Sequence, residues 1–552
     1  MHRYKKALCV LAAAAVAASS FCMYGCAADE QSTKVTLRVA NWEEYIDLGE
    51  WDDEELIDID NAFADDPSEG VFGANSMVDD FVEWFNSTHD YEIEVEYSTF
   101  GTNEDLYNRL SLGDVYDLVC PSDYMIMKLL DEDAIEPYSE TFFDESNDEN
   151  YYINGVSKYI DDIFVDYDWN KYAACYMWGT TGFVYNPLLV DVDDVSSCNI
   201  LQNGDYFKQV TIKDNVRDAY FATLSIIYND ELLGIPSGDA GTEQRSALLN
   251  DTSNEAIAAA EDMLKNIKEN VYSFETDSGK ADMVTGKVLA NYQWSGDAVY
   301  IMDEADSDEL NPTELWYSVP DECTNLWFDG WVMLKRGIDG DERRKEAAEA
   351  FVNFLSRPDN AVRNMYYIGY TSAIADDMIY DYMDWNYGFV FDPSDEEYFD
   401  EELTEVYEYD LSYFFGDGYT LYVDAATLEL GEGVHSTTAQ LGLEDYGNDI
   451  TYTVYSGGNI DRGRQLFGQY PTANVIDRSV VMLDFGDKLA DINQMWIHVR
   501  CLDLLDFDPV VIGVVAAIVA VLIAAILLYR FRYKIFIKKY RPRKGYTRVD
   551  MI

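Results

Sequence analysis

The feature that most restricts the fold is an alternation of two hydrophobic periods at the start of the body. Val35-Thr-Leu-Arg-Val39 reads as a buried strand and runs straight into Asn41-Trp42-Glu43-Glu44-Tyr45. Met77, Phe81, Trp84 and Phe85 then recur at helical spacing, and Glu92-Ile-Glu-Val-Glu-Tyr97 alternates as a half-buried strand. Thr102 or Asn103 caps a second helix through Leu106, Tyr107 and Leu110, ahead of an apolar strand Tyr116–Cys120 that ends at Pro121-Ser122. The order β-α-β-α-β continues with a strand near Tyr176–Val184, a helix near Glu255–Lys268 and a strand Val288–Tyr292. Such alternation predicts an α/β protein with parallel-type sheets, whose ligands lie at strand ends.

Two further segments concern packing. Residues 341–357 form an amphipathic helix with Ala348, Phe351, Val352 and Leu355 on one face, stopped before Pro358. The acidic stretch Asp47–Asn75 is expected to be a surface loop without core, and residues 376–468 an acidic, Tyr-rich insertion with strand content.

Both ends address a membrane. Residues 1–26 read as a signal peptide, basic at Arg3, Lys5 and Lys6 and then apolar from Ala7 to Ala18. Gly25-Cys26 also fits the end of a lipoprotein box, which would place a lipid on Cys26; cleavage near Ala27 or Ala28 is the alternative. Val510–Tyr529 contains no charge, and twenty helical residues reach ~30 Å, the thickness of the hydrocarbon core. A transmembrane helix is therefore expected over 509–529, followed by a basic tail at 530–552 whose charge places it in the cytoplasm. The body would face outward.

That body is intensely acidic. Residues 1–26 carry +3 and 530–552 carry +8, so residues 27–529 hold −77 against a whole-chain charge of −66. Such a field repels nucleic acid and attracts cations. Eight cysteines without a CxxC pair and four scattered histidines give no metal cluster, no cofactor site and no dense disulfide framework. Nor does the chain contain a Gly-x-Ser-x-Gly, HExxH or phosphate-loop motif, so an enzyme is not expected.

Four separated loops place an aromatic beside a carboxylate or hydroxyl: Trp42–Tyr45, Ser122-Asp123-Tyr124, Trp294-Ser-Gly-Asp297 and Trp327-Phe-Asp329. Aromatic faces attract ammonium groups by ~0.5 to 2 kcal/mol each, and carboxylates accept their N–H donors. An elongated alkylammonium suits this set.

The order of these loops resembles the spermidine/putrescine-binding proteins of ABC transporters, from about Val35 to Ala373 and again from Gln469 to Arg500. The markers are Asn41-Trp42-Glu43-Glu44-Tyr45, Tyr116 through Tyr124, Met177-Trp178-Gly179, Asp214-Asn215-Val216-Arg217-Asp218, Gln293-Trp294-Ser-Gly296, Trp327-Phe-Asp329, Phe351 through Pro358, and Ile368-Gly-Tyr370-Thr371. The resemblance implies a two-lobed periplasmic-binding-protein-like fold over 34–508, with one lobe at about 34–175 and 329–375 and the other at about 176–328 and 376–508. It also implies delivery of a polyamine to a permease and ATPase. Trp42, Tyr45, Tyr124, Trp294 and Trp327 would box the ligand, Asp218 and Asp329 would bind its ammonium ends, and Ser122 and Tyr370 would add polar contacts. Asn215 and Met482 depart from the family by replacing a carboxylate and a polar side chain, which tilts the expectation toward putrescine over spermidine; Asp123 would compensate. A membrane-anchored sensor or adhesion module for another cation or a betaine is the alternative.

Overall fold

The computed structural model describes residues 34–52, 55–276, 278–307, 312–389, 405–439, 452–501 and 509–536. The leader, with Cys26, and the tail beyond 536 lie outside the described residues.

The described residues up to Asn493 form one compact unit, and the described remainder a second. The larger unit is built on a mixed sheet in the order Glu92–Phe100, Lys34–Trp42, Leu118–Val119, Thr324–Leu334, Ala173–Tyr185, Ala290–Trp294, Val210–Lys213 and Ser273–Glu275. The first three strands are parallel, as are the last three. Between them Thr324–Leu334 and Ala173–Tyr185 pair antiparallel with each other and with their outer neighbours. The expected parallel sheet is thus two parallel halves joined by an antiparallel pair. Every residue of both central strands is buried, which suits their mostly apolar sequences, with Asp329 as the one charged residue between them. The fold is two-lobed and periplasmic-binding-protein-like, and the expected lobe junctions at 175/176 and 328/329 fall within these two strands.

Local signals act where expected. Ser76 caps Met77–Thr88 by accepting from the Asp79 amide, and Thr102 caps Asn103–Leu112 by accepting from that of Asp105. Helix Glu342–Leu355 buries Ala348, Phe351, Val352 and Leu355, and Pro358 opens the next helix, Pro358–Ile368, at its first turn.

One expectation needs correction, and another is borne out. The acidic stretch after Tyr45 contributes core: Trp51, Ile57 and Val71 are buried in the main cluster. Asp47 is fully buried because Arg363 Nη2 pairs with it at 2.7 Å and Trp51 Nε1 donates to it at 3.0 Å. The local count of acids hid that fixed anchor, whose partner lies more than 300 residues away. The 376–468 segment carries a four-stranded sheet, in the order Thr420–Asp424, Glu405–Asp410, Tyr452–Ser456 and His435–Ala439. It also docks on the core, since Phe414 stacks on Trp178 with centroids 5.4 Å apart and its carbonyl accepts from Ser157 Oγ at 2.6 Å.

Cys120, Cys175, Cys198 and Cys323 are buried free thiols, and Cys501 is exposed. In the smaller unit, helix Pro509–Phe536 spans the whole charge-free run. Its described side chains, Gly513, Val514 and residues 517–530, are exposed. Among the described residues no helix is long and apolar enough to cross a membrane, the side chains at 509–512, 515–516 and 531–536 lying outside that set.

Candidate functional site

The fold brings most of the singled-out side chains into two linked groups, one around the middle of the central strand Thr324–Leu334 and the other at the end of Ala290–Trp294. The first centres on Asp329. A β-bulge between Asp329 and Gly330 interrupts the pairing with Ala173–Tyr185, and re-aims the carboxylate toward an isolated bridge with Ser122. Ser122 Oγ donates to Asp329 Oδ1 at 2.6 Å and Tyr45 OH to Oδ2 at 2.8 Å. Behind them Asn103 Nδ2 donates to Ser122 Oγ at 3.0 Å and to Tyr124 OH at 2.8 Å, fixing both.

Aromatic rings wall this carboxylate. Tyr370 meets Tyr45 edge-on at 4.8 Å and Trp327 at 5.7 Å. Trp327 is oriented by its Nε1–H, which donates to the Thr180 carbonyl at 3.0 Å. Two motif glycines exist to admit these rings. A Cβ on Gly296 would sit 2.3 Å from the Tyr370 ring, and one on Gly179 would sit 2.6 Å from Trp327. Trp42 is more remote: its ring packs on Phe100 at 4.9 Å, and its tie to the group runs through Asn41, whose Nδ2 donates to the Tyr45 carbonyl at 3.2 Å.

The second group holds Asp218 and Trp294. Trp294 Nε1 donates to Asp218 Oδ1 at 3.3 Å. Over the Trp294 ring lies a side chain not anticipated from the sequence: Lys213 Nζ is 3.8 Å from the ring centroid and 3.4 Å from Asp297 Oδ2. Lys280 Nζ pairs with Asp297 Oδ1 at 3.0 Å. Tyr370 OH donates to that same oxygen at 3.0 Å and so links the two groups. Tyr124 also faces a cation, since the Arg217 guanidinium lies 3.6 Å over its ring while pairing with Asp484 at 2.9 Å.

The carboxylates differ in what balances them. Burial raises Asp329 to about 6, and only the hydroxyls of Ser122 and Tyr45 pull against it. Burial likewise raises Asp218 to about 6, opposed by Lys213 and the Trp294 N–H. Asp297 is also buried, but Lys280 and Lys213 hold it below the ordinary carboxylate value. Asp329 is therefore a buried acceptor with neutral partners only, an environment that gains most from an incoming ammonium group. Asp123 does not compensate for the missing family carboxylate. It is buried at about 8, hence uncharged at neutral pH, and its oxygens accept from the Tyr124 and Phe328 amides. Asn215 caps helix Val216–Ile227, and Met482 is buried.

Sequence reading missed Asn103, Lys213 and Lys280, and left Asp297 out of the site. One signal was visible: Lys213 is the single charge in the strand Val210-Thr-Ile-Lys213, a poor place for a lysine unless a partner waits at the strand end. Surface cavities of about 450 and 430 Å³ lie elsewhere, one beside Asp306 and Arg464, the other beside Asp193 and Glu322; neither includes a member of the two groups.

Comparison with known proteins agrees with the fold. Residues 80–377 match the family model described as bacterial extracellular solute-binding protein. The spermidine/putrescine-binding periplasmic protein of Salmonella typhimurium is 27% identical over 285 residues, 51% of this chain and 71% of that protein. The putrescine-binding periplasmic protein PotF of Escherichia coli is 25% identical over 286 residues, with the same coverage of 51% and 71%. Among solved structures, the TpPotD lipoprotein of Treponema pallidum superposes with a TM-score of 0.50 at 15% identity, covering 84% of this chain and 99% of that one, and supports the fold alone.

Proposed function

Because the chain belongs to the bacterial extracellular solute-binding proteins, a family of binding proteins rather than enzymes, we propose that it captures a polyamine for an ABC importer. One observation carries the reading: Asp329 is buried among Tyr45, Tyr370 and Trp327 with hydroxyls as its hydrogen-bond partners. An ammonium group there gains a charge-assisted hydrogen bond and an aromatic wall together. Asp218 beside Trp294 is the second anchor, so a chain with an amine at each end is held between the two groups, and closure of the lobes buries it. Tyr124, Ser122 and Tyr370 orient those anchors, and Trp42 forms the outer wall. Asn215 and Met482 remove anionic and polar capacity, which favours putrescine over spermidine.

The protein is held at the membrane by helix Val510–Tyr529 with its basic tail in the cytoplasm, and hands its ligand to a permease driven by an ATPase. The charge-free run within Pro509–Phe536 supports the anchor. Lipidation of Cys26 would add a second attachment.

A thermal-shift panel on the full chain in detergent micelles tests the ligand class, since a ligand that binds only the native state raises its apparent stability. Diamines and triamines should raise the melting temperature and glycine betaine should not. A shift by betaine alone would overturn the assignment.

A further inference from the structure

The Lys213 ammonium already occupies a seat built for a cation. It sits 3.8 Å over Trp294 and 3.4 Å from Asp297 Oδ2, its side chain 1% exposed. The Thr276 carbonyl accepts from it at 3.4 Å; burial lowers its pKa, and Asp297, Glu275 and Asp218 pull against that to keep the ammonium form. It cannot be a stray surface lysine, because an ammonium of this burial is retained only where fixed carboxylates compensate it.

The charges around it can be counted. At this end Asp218, Asp297 and Glu275 face Lys213 and Lys280, which leaves one net negative charge. Asp329 at the other end supplies a second, and both oxygens of Asp123 are already taken by the Tyr124 and Phe328 amides, in a burial that favours its neutral form. Arg217 is matched separately by Asp484, while Glu104 on its other side is partly solvent-exposed and Glu44, 4.0 Å from Lys280, is exposed, so both are screened. The buried cleft thus presents two uncompensated negative charges. With a neutral residue at position 213 it would present three.

We propose that Lys213 sets the charge of the ligand: by seating its own ammonium over Trp294 against Asp297, it takes the place of a third amine and selects a diammonium chain over a triammonium one. The inference rests on the polyamine reading and makes it specific. Lys213 acts as a built-in competitor, which a triamine must displace into a low-dielectric site without gaining a carboxylate in return.

Titration calorimetry on the full chain in detergent micelles, with putrescine and spermidine against the wild type, Lys213→Gln, Lys213→Met and Lys213→Arg, tests this. The ratio of spermidine to putrescine affinity should rise by about tenfold or more in the Gln and Met variants and stay within about twofold in the Arg variant. An unchanged ratio in all four proteins would overturn the inference while leaving polyamine binding intact. Should the neutral variants not fold, the wild type still tests the inference, since tighter binding of spermidine than of putrescine overturns it. Absence of binding to either amine would remove the polyamine reading and this inference with it.

Discussion

Acidification should weaken amine binding and stabilise the empty site, two effects of opposite sign from the same two carboxyl groups. Asp329 and Asp218 are both raised by burial from 3.8 to about 6. Such a group contributes stability that is fully present below its unfolded value and is lost as pH rises through the folded value. At neutral pH each ionised, unliganded carboxylate therefore costs the fold about 3 kcal/mol, from ~2 pKa units at ~1.4 kcal/mol each. An ammonium ligand needs both groups ionised and offsets that cost.

With a midpoint near 6, each group is ~97% ionised at about pH 7.5 and ~9% at about pH 5, while an alkylamine of pKa ~10 stays charged throughout. Putrescine affinity should fall by about tenfold per group, or about a hundredfold in all, across that interval. Calorimetry at constant ionic strength measures the fall. Melting curves without ligand, over the same interval, should show the opposite trend from these two groups. Asp329→Asn should reduce the pH slope by about half, since one titrating anchor remains. Affinity that is flat, or that rises on acidification, would refute the assignment of these carboxylates as the ligand's anchors.

Other outcomes follow from single contacts. Asp329→Ala and Trp327→Ala should each weaken putrescine binding by at least about tenfold in variants shown by circular dichroism to be folded, and wild-type affinity in both would remove the Asp329 group from the site. Gly296→Ala places a methyl group 2.3 Å from the Tyr370 ring, so it should reduce affinity by displacing Tyr370 even though it touches no ligand; a Tyr370→Leu background should mask the effect. Arg363→Met leaves Asp47 charged and buried without its partner, and should destabilise the fold by about 3 to 5 kcal/mol in chemical denaturation.

What the sequence made legible follows from the range of the forces involved. The strand from Val35, the helix from Met77 and the helix over 342–355 are set by local hydrophobic period and caps, and were readable. The motif order brought Tyr45, Ser122, Asp329, Trp327 and Tyr370 to attention together, and the structure joins them by direct contacts. Long-range charge pairing was not readable. Nothing near Asp47 announces Arg363, and nothing near Asp297 announces Lys213 or Lys280, so a buried anchor looked like a surface loop and a cation seat looked vacant. Asp123 failed for the same reason, because the two backbone amides that hold it depend on the tertiary placement of Phe328. The antiparallel central pair was hidden too, since a strand buried on both faces has the same apolar sequence in either direction.

The central claim is that a diammonium ligand is held between the Asp329 and Asp218 groups. Calorimetric titration of the full chain with putrescine near neutral pH, alongside Asp329→Ala, is its most direct test. One ligand should bind per chain in the wild type, with affinity at least about tenfold weaker in the variant. Saturable binding of equal strength in both proteins, or no heat of binding in the wild type, would contradict the account.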